Sequence, residues 1–174
     1  MNSKVYLSVL VALFLALPLA TAANQDYRLG AGDEISITVY EEDDLSMTLK
    51  IDESGTFDYP YLGQIVAGGK STNALKTELT NGLLQDILIN PSVNVQIVTY
   101  RDFYIDGEVQ RPGSYPYQPG LTIKQAITLA GGATEWASST KFEILREGRD
   151  EPQSADRNTP VRPGDTVTVL EGFF

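Results

Sequence analysis

Apolar and polar residues alternate at Ile35, Ile37 and Val39 against Ser36, Thr38 and Tyr40, the period of two that a half-buried strand requires. The acidic run Glu41 to Asp44 ends that strand. Leu49 and Ile51 open a second alternating set, which Glu53-Ser54-Gly55 turns into Thr56-Phe57-Asp58-Tyr59, so the pattern predicts a hairpin around Gly55. Leu62 to Val66 predicts one more short strand. After Gly68-Gly69 the period changes: Leu75, Leu79 and Leu83 form one helical stripe, Ser71 is placed to cap it, and Asn90-Pro91 marks its expected end. Val93, Val95 and Ile97 then restore the period of two.

Residues 102 to 132 compress a strand, a turn, a second strand and a helix into little space. Phe103, Ile105 and Val109 are strand formers, and Arg111-Pro112-Gly113 is turn chemistry, proline fixing φ and glycine free to make it positive. Pro119-Gly120 breaks the second strand. Thr122 with Gln125 has the spacing of a capping box, Ile123, Ala126, Ile127 and Ala130 make one packing face, and Gly131-Gly132 supply a left-handed stop. The unit is built to hold something rather than to cut it.

Phe142, Ile144 and Arg146 predict a further strand, and the charged stretch Gly148 to Asn158 an exposed loop or hairpin tip. Pro163-Gly164-Asp165 with Val167 and Val169 then echoes Ala31-Gly32-Asp33 with Ile35 and Ile37. Both segments read as a turn followed by a strand, which fits either an internal duplication or a common local device used twice. The whole is read as α+β: a first module at 24–100 with a mixed sheet and one main helix, a second at 101–150, and a loop and C-terminal strand at 151–174. That last strand is expected to return and pair with the first.

Composition narrows the chemistry. Lys4 precedes an apolar run from Val5 to Leu19, and Ala20-Thr21-Ala22 has the small-x-small pattern of a signal peptidase site. Residues 1–22 are therefore read as a cleaved secretory signal, with the cut between Ala22 and Ala23. The run falls short of the roughly 20 residues that span hydrocarbon. A net charge of −10 argues against nucleic acid, which demands a basic face. The chain has no cysteine and no histidine, which removes zinc sites with nitrogen or sulfur ligands and the usual Ser-His and Cys-His pairs. No glycine-rich string has phosphate-loop spacing, so no cofactor is expected.

Tyr27 to Tyr40 with Asp44-Leu45-Ser46, the stretch Asp52 to Val66, and Asn90-Pro91-Ser92-Val93 together resemble the polysaccharide export domain of bacterial outer-membrane polysaccharide exporters. Residues 102 to 147 resemble the soluble-ligand-binding β-grasp module that follows it there, most specifically in Gly107-Glu108-Val109-Gln110-Arg111-Pro112-Gly113 and Ala130-Gly131-Gly132. The ending, Pro163-Gly164-Asp165 to Phe173-Phe174, is similar to the terminus of short family members. The resemblance implies a non-enzymatic periplasmic protein associated with the outer membrane. It would form a homo-oligomeric ring that conducts polysaccharide, with an inner-membrane polysaccharide co-polymerase as partner. Long family members carry a lipidated cysteine and a terminal amphipathic helix; the expectation here is an unlipidated short form that relies on a separate outer-membrane β-barrel. The rival expectation is a monomeric periplasmic module that binds or senses a small ligand.

Several residues are candidates for contact. Tyr115 and Tyr117, expected on one strand face beside a proline turn, could stack on sugar or meet a neighbouring subunit, and Arg101 and Arg111 could reach acidic sugars or a subunit. Glu41, Glu42, Asp43 and Asp44, with Glu53 or Asp58, could be read as paired carboxylates, yet adjacent acids at a strand end ordinarily face water, and no catalytic or metal-binding residue is assigned. Gly32, Asp33, Gly107, Glu108, Pro112, Gly113, Gly131, Gly132, Gly164 and Asp165 are read as structural motif positions.

Overall fold

The computed structural model describes residues 27–172 except residue 86. The cleavage position at Ala22 and Ala23 lies outside the described residues, as do Phe173 and Phe174.

The first module holds strands β1 (Glu34–Val39), β2 (Met47–Lys50), β3 (Thr56–Tyr59) and β4 (Gly63–Val66), then helix α1 (Thr72–Leu84) and strand β5 (Val93–Thr99). β1 lies between β2 and β5, antiparallel to both, with Ile37 opposite Met47 on one side and Val95 on the other. Ser71 caps α1, its Oγ accepting the Ala74 N–H at 3.1 Å, and Leu75, Leu79 and Leu83 are fully buried in one cluster with Ile35, Ile37, Val39 and Val95. Each leucine buried in this way contributes about 1.5–3 kcal/mol of apolar transfer.

Two expectations are corrected here. β2 pairs with β1, and β3 with β4 in a separate two-stranded sheet, so no hairpin ladder joins Leu49-Ile51 to Thr56-Tyr59. The reason is local. The Asp52 carboxylate gathers the Thr56 N–H at 2.7 Å, the Ser54 hydroxyl at 2.7 Å and the Thr56 hydroxyl at 2.8 Å, closing a tight turn. The Gly55 carbonyl then accepts the N–H groups of Ala67 and Gly68, at 2.9 and 2.8 Å, which ties the turn to the end of β4. The helix also stops at Leu84, well before Asn90: the N–H groups of Ile87 and Leu88 both turn back to the Leu83 carbonyl.

The second module holds β6 (Phe103–Gly107), β7 (Gly113–Tyr115), helix α2 (Ile123–Leu129), β8 (Ala137–Leu145), β9 (Gln153–Ala155) and β10 (Thr166–Glu171). Its sheet runs β7-β6-β10-β8-β9, with β10 parallel to β6 and antiparallel to β8. Gln125 Oε1 accepts the Thr122 N–H at 2.8 Å at the start of α2. Gly131 and Gly132, at φ +84 and +96, end it, the Gly132 N–H closing on the Ile127 carbonyl at 2.8 Å. The charged stretch 148–158 is a hairpin arm whose Gln153–Ala155 forms a short edge strand on β8.

The C-terminal strand does not return to β1, whose two edges β2 and β5 already occupy. It fills the middle of the second sheet, where buried Val167 faces Ile105 and Ile144, and buried Val169 faces Gly107 and Phe142. Gly107 is confined there. At φ +75 its Cβ would stand 2.2 Å from the Val169 carbonyl oxygen. Gly107→Ala should therefore destabilise the protein by roughly 2–5 kcal/mol, combining left-handed strain with overpacking; urea unfolding measures it, and wild-type stability would contradict this tight fit.

Candidate functional site

The two echoing segments fold into the same device. In the first, Asp33 is fully buried, its Oδ2 accepts the Gly30 N–H at 2.8 Å, and Gly32 takes φ +92. In the second, Asp165 is buried, its Oδ2 accepts the Arg162 N–H at 2.6 Å, and Gly164 takes φ +80. Each turn leads into a strand, β1 or β10, with apolar residues buried at the second and fourth positions beyond the aspartate. Each buried carboxylate also has an arginine, Arg101 on Asp33 and Arg146 on Asp165. A carboxylate this deep needs such a partner, because an uncompensated buried charge costs several kcal/mol.

Arg101 does more than neutralise one acid. It stands between β5 and β6, where the chain passes from one module to the next. Its backbone N–H donates to Asp33 Oδ1 at 2.8 Å and its guanidinium to Asp33 Oδ2 at 2.9 Å and the Tyr27 hydroxyl at 2.6 Å. The same guanidinium pairs with Glu147 of the second module. It is threaded between glycines from the two turns: a Cβ on Gly30 would lie 2.7 Å from it, and one on Gly164 would lie 3.0 Å from Arg101 Nε and 2.7 Å from the Glu147 carboxylate. Burial alone would lower the Arg101 pKa, but Tyr27, Glu147 and Asp33 outweigh it and the net shift is upward. Burial, then the hydrogen bond to Asp33, pushes the Tyr27 hydroxyl far above the ordinary tyrosine range, so it stays protonated and donates to that carboxylate.

Beside this clasp runs a ladder of rings. Tyr27 meets Tyr100 edge to face at 4.9 Å between centroids, and Tyr100 meets Tyr117 at 5.4 Å. Together they line a cleft of about 570 Å³ between the modules, which also receives Arg28, Arg101, Arg146 and Arg162.

The structure separates the four residues singled out for contact. Arg101 and Tyr117 meet at the cleft. Tyr115 sits apart, tilted against Phe103 at 6.1 Å, with its hydroxyl donating to the Arg111 carbonyl at 2.7 Å. Arg111 closes the end of α2, its N–H on the Ala130 carbonyl at 2.9 Å and its guanidinium on the Leu129 carbonyl at 3.3 Å. Tyr115 is the last residue of β7 and Tyr117 lies past it, so the two do not share a strand face. Glu108 accepts from the Thr134 hydroxyl, and Gly113 follows exposed Pro112 into β7. Glu41, Asp43, Asp44, Glu53 and Asp58 are exposed and Glu42 is half-buried. Among the described residues no group of acids could hold a metal ion.

Sequence reasoning passed over Tyr27, Arg28, Arg146, Glu147 and Arg162. The signal for one of them, Arg146, was available: two Gly-Asp turns before strands imply two buried acids, hence a basic partner for each, and Asp165 is paired by Arg146 as Asp33 is by Arg101.

Two outcomes follow. Arg101→Met should cost about 3–5 kcal/mol in chemical unfolding, since it strands the Asp33 carboxylate, and adding Asp33→Asn should restore a large part of the loss; additive losses would show that the two do not act as a pair. Asp165 is held above the usual carboxylate range by burial, against the opposing pull of the Arg162 N–H and Arg146. Its contribution to stability is therefore full below the unfolded pKa and is lost as pH rises through the raised folded value. An NMR titration should place the Asp165 midpoint above that of an ordinary aspartate, and a lower midpoint would reverse the sign.

Residues 21–98 match the family described as polysaccharide biosynthesis/export protein, and residues 103–155 match the SLBB domain. Arg101 lies in the short gap between the matches. The chain is 30% identical over 164 residues to the exopolysaccharide production protein ExoF of Rhizobium meliloti, covering 86% of this chain and 39% of that protein. It is 26% identical over 179 residues to the EPS I polysaccharide export outer membrane protein EpsA of Ralstonia nicotianae, covering 82% of this chain and 47% of that one. The chain thus spans less than half the length of these curated relatives. With an export module followed by an SLBB domain, the chain belongs to the polysaccharide biosynthesis/export protein family.

Proposed function

We propose that this protein is a non-catalytic component of an exopolysaccharide or capsule export machine, working in the periplasm against the outer membrane. Copies of it assemble into a ring that passes polymer outward. An inner-membrane polysaccharide co-polymerase stands on one side and a separate outer-membrane β-barrel on the other. The observation that carries this reading is the order of the two matched modules, export then SLBB, joined through the Arg101 clasp. The relatives' names, with their polysaccharide export and outer-membrane wording, support the pathway and the place.

Sheet edges support the assembly. In the first sheet β2 and β5 are the outer strands, and in the second β7 and β9. Unpaired strand edges are templates for a neighbouring chain unless they are covered, and Val98 on β5 is 55% exposed. Among the described residues no helix is long and apolar enough to cross a membrane.

The cleft between the modules favours a second reading, a monomer that binds one small ligand, since its volume lies within the range of small-molecule sites. Light scattering and native mass spectrometry of the purified protein, alone and with a membrane extract of its source cell, separate the two. A mass that is a fixed multiple of the chain, together with loss of extracellular polysaccharide when the gene is deleted, is expected for the export ring. A monomer under every condition that still binds one ligand saturably would replace it with the second reading.

A further inference from the structure

We infer that Arg101 and Glu147 form a two-position catch that sets the angle between the modules. In the position this structure holds, the Glu147 carboxylate meets a single nitrogen of the guanidinium. In the other it grips two nitrogens side-on and draws the second module toward the first. The inference concerns a single chain and holds whether or not copies assemble.

The donors of Arg101 are unequally used. Nη1 is committed to the first module, donating to Asp33 Oδ2 at 2.9 Å and to the Tyr27 hydroxyl at 2.6 Å. Nη2 and Nε share another edge of the planar group, one that a carboxylate can grip with two parallel bonds. Glu147 takes half of it: its Oε2 pairs with Nη2, while Nε is buried and donates to nothing among the described residues. A buried donor without an acceptor is costly, so an orientation that supplies the acceptor is favoured.

That acceptor is close. A Cβ on Gly164 would stand 3.0 Å from Nε, 2.9 Å from the Glu147 carboxyl carbon and 2.7 Å from its Oε2. A side chain at 164 would crowd both donor and acceptor, and glycine keeps the path between them open.

The second module moves as a body. Glu147 follows β8, and its neighbour Arg146 is held by Asp165 and by the Pro160 carbonyl at 3.1 Å. The carboxylate therefore advances onto Nε together with the sheet that carries it. The junction permits this, because the elements that pack extensively on one another do so within a module: β1 with β2 and β5, α1 with β5, and β10 with β6 and β8. Loop residues make the crossing contacts described here, Arg101 with Glu147 and Tyr100 with Tyr117. Modules joined this lightly shift relative to one another by default. Exposure decides which end lets go. The Asp33 side chain is 0% exposed and that of Glu147 50%, so Arg101 stays with the first module and Glu147 changes place.

The chain has no cysteine, so two engineered ones carry spin labels without background. Lys76→Cys on α1 and Lys124→Cys on α2, both exposed, put one label on each module. Double electron–electron resonance on the full chain, diluted into unlabelled chain so that only distances within a copy count, should show two discrete distances. Glu147→Ala should shift their ratio by about threefold to tenfold, the worth of one hydrogen bond, and high salt should move it the same way. Glu147→Gln, which keeps the shape and removes the charge, should also shift it in that direction. The thermal midpoint should hardly change, since a half-exposed arm adds little. The Arg101 Nε–H resonance gives a second readout, a hydrogen-bonded signal that Glu147→Ala removes. A single distance in the unsubstituted background, a ratio indifferent to both Glu147 variants, or an Nε–H signal that ignores them would each overturn the proposal.

Discussion

Asp33 is fully buried, and its charge is compensated there by the Arg101 guanidinium, with the Tyr27 hydroxyl and the Gly30 and Arg101 N–H groups donating to the same carboxylate. The rest of the molecule is arranged around this contact. Asp33 closes the turn that launches β1, the central strand of the first sheet. Arg101 precedes β6, and its guanidinium also holds Glu147 at the end of β8. One ion pair thus fixes the start of one module to the start of the other. Surface pairs contribute little because water screens them; the half-exposed Glu147 arm belongs to that class, and the Asp33 arm does not.

The second Gly-Asp turn shows that the arrangement is a general solution rather than an accident of the junction. Glycine takes the left-handed conformation at Gly32 and Gly164, the aspartate accepts an N–H three residues back, and an arginine covers the charge. The glycines matter for packing as well as for φ. Gly30 and Gly164 leave room for the Arg101 guanidinium, so the turns meet across a cation instead of across side chains.

Much of this was legible in the chain. Leu75, Leu79 and Leu83 announce their buried stripe by spacing alone, and Gly131-Gly132 their helix stop. Strand existence was readable because alternation is a local signal. Partnership was not. Whether Leu49-Ile51 joins β1 or β3, and whether Thr166–Glu171 lies beside β1 or β6, depends on which edges remain open once other strands have paired. The cleft was only half visible for the same reason. Arg101 and Tyr117 could be singled out as residue types in suitable places, whereas Tyr27, Arg28 and Arg162 join them only when the modules fold together.

The middle position of β10 has a consequence for the order in which the protein is made. Its neighbours β6 and β8 are synthesised well before it, and until it arrives the second sheet lacks its centre. The parallel pairing of β10 with β6 closes a long loop of chain, and contacts so distant in sequence form slowly. The second module therefore stays open while most of the polypeptide is already present, leaving two apolar strands with unmatched inner edges. Completion of the second sheet thus waits on β10, which supplies the parallel pairing to β6 and the antiparallel pairing to β8 together.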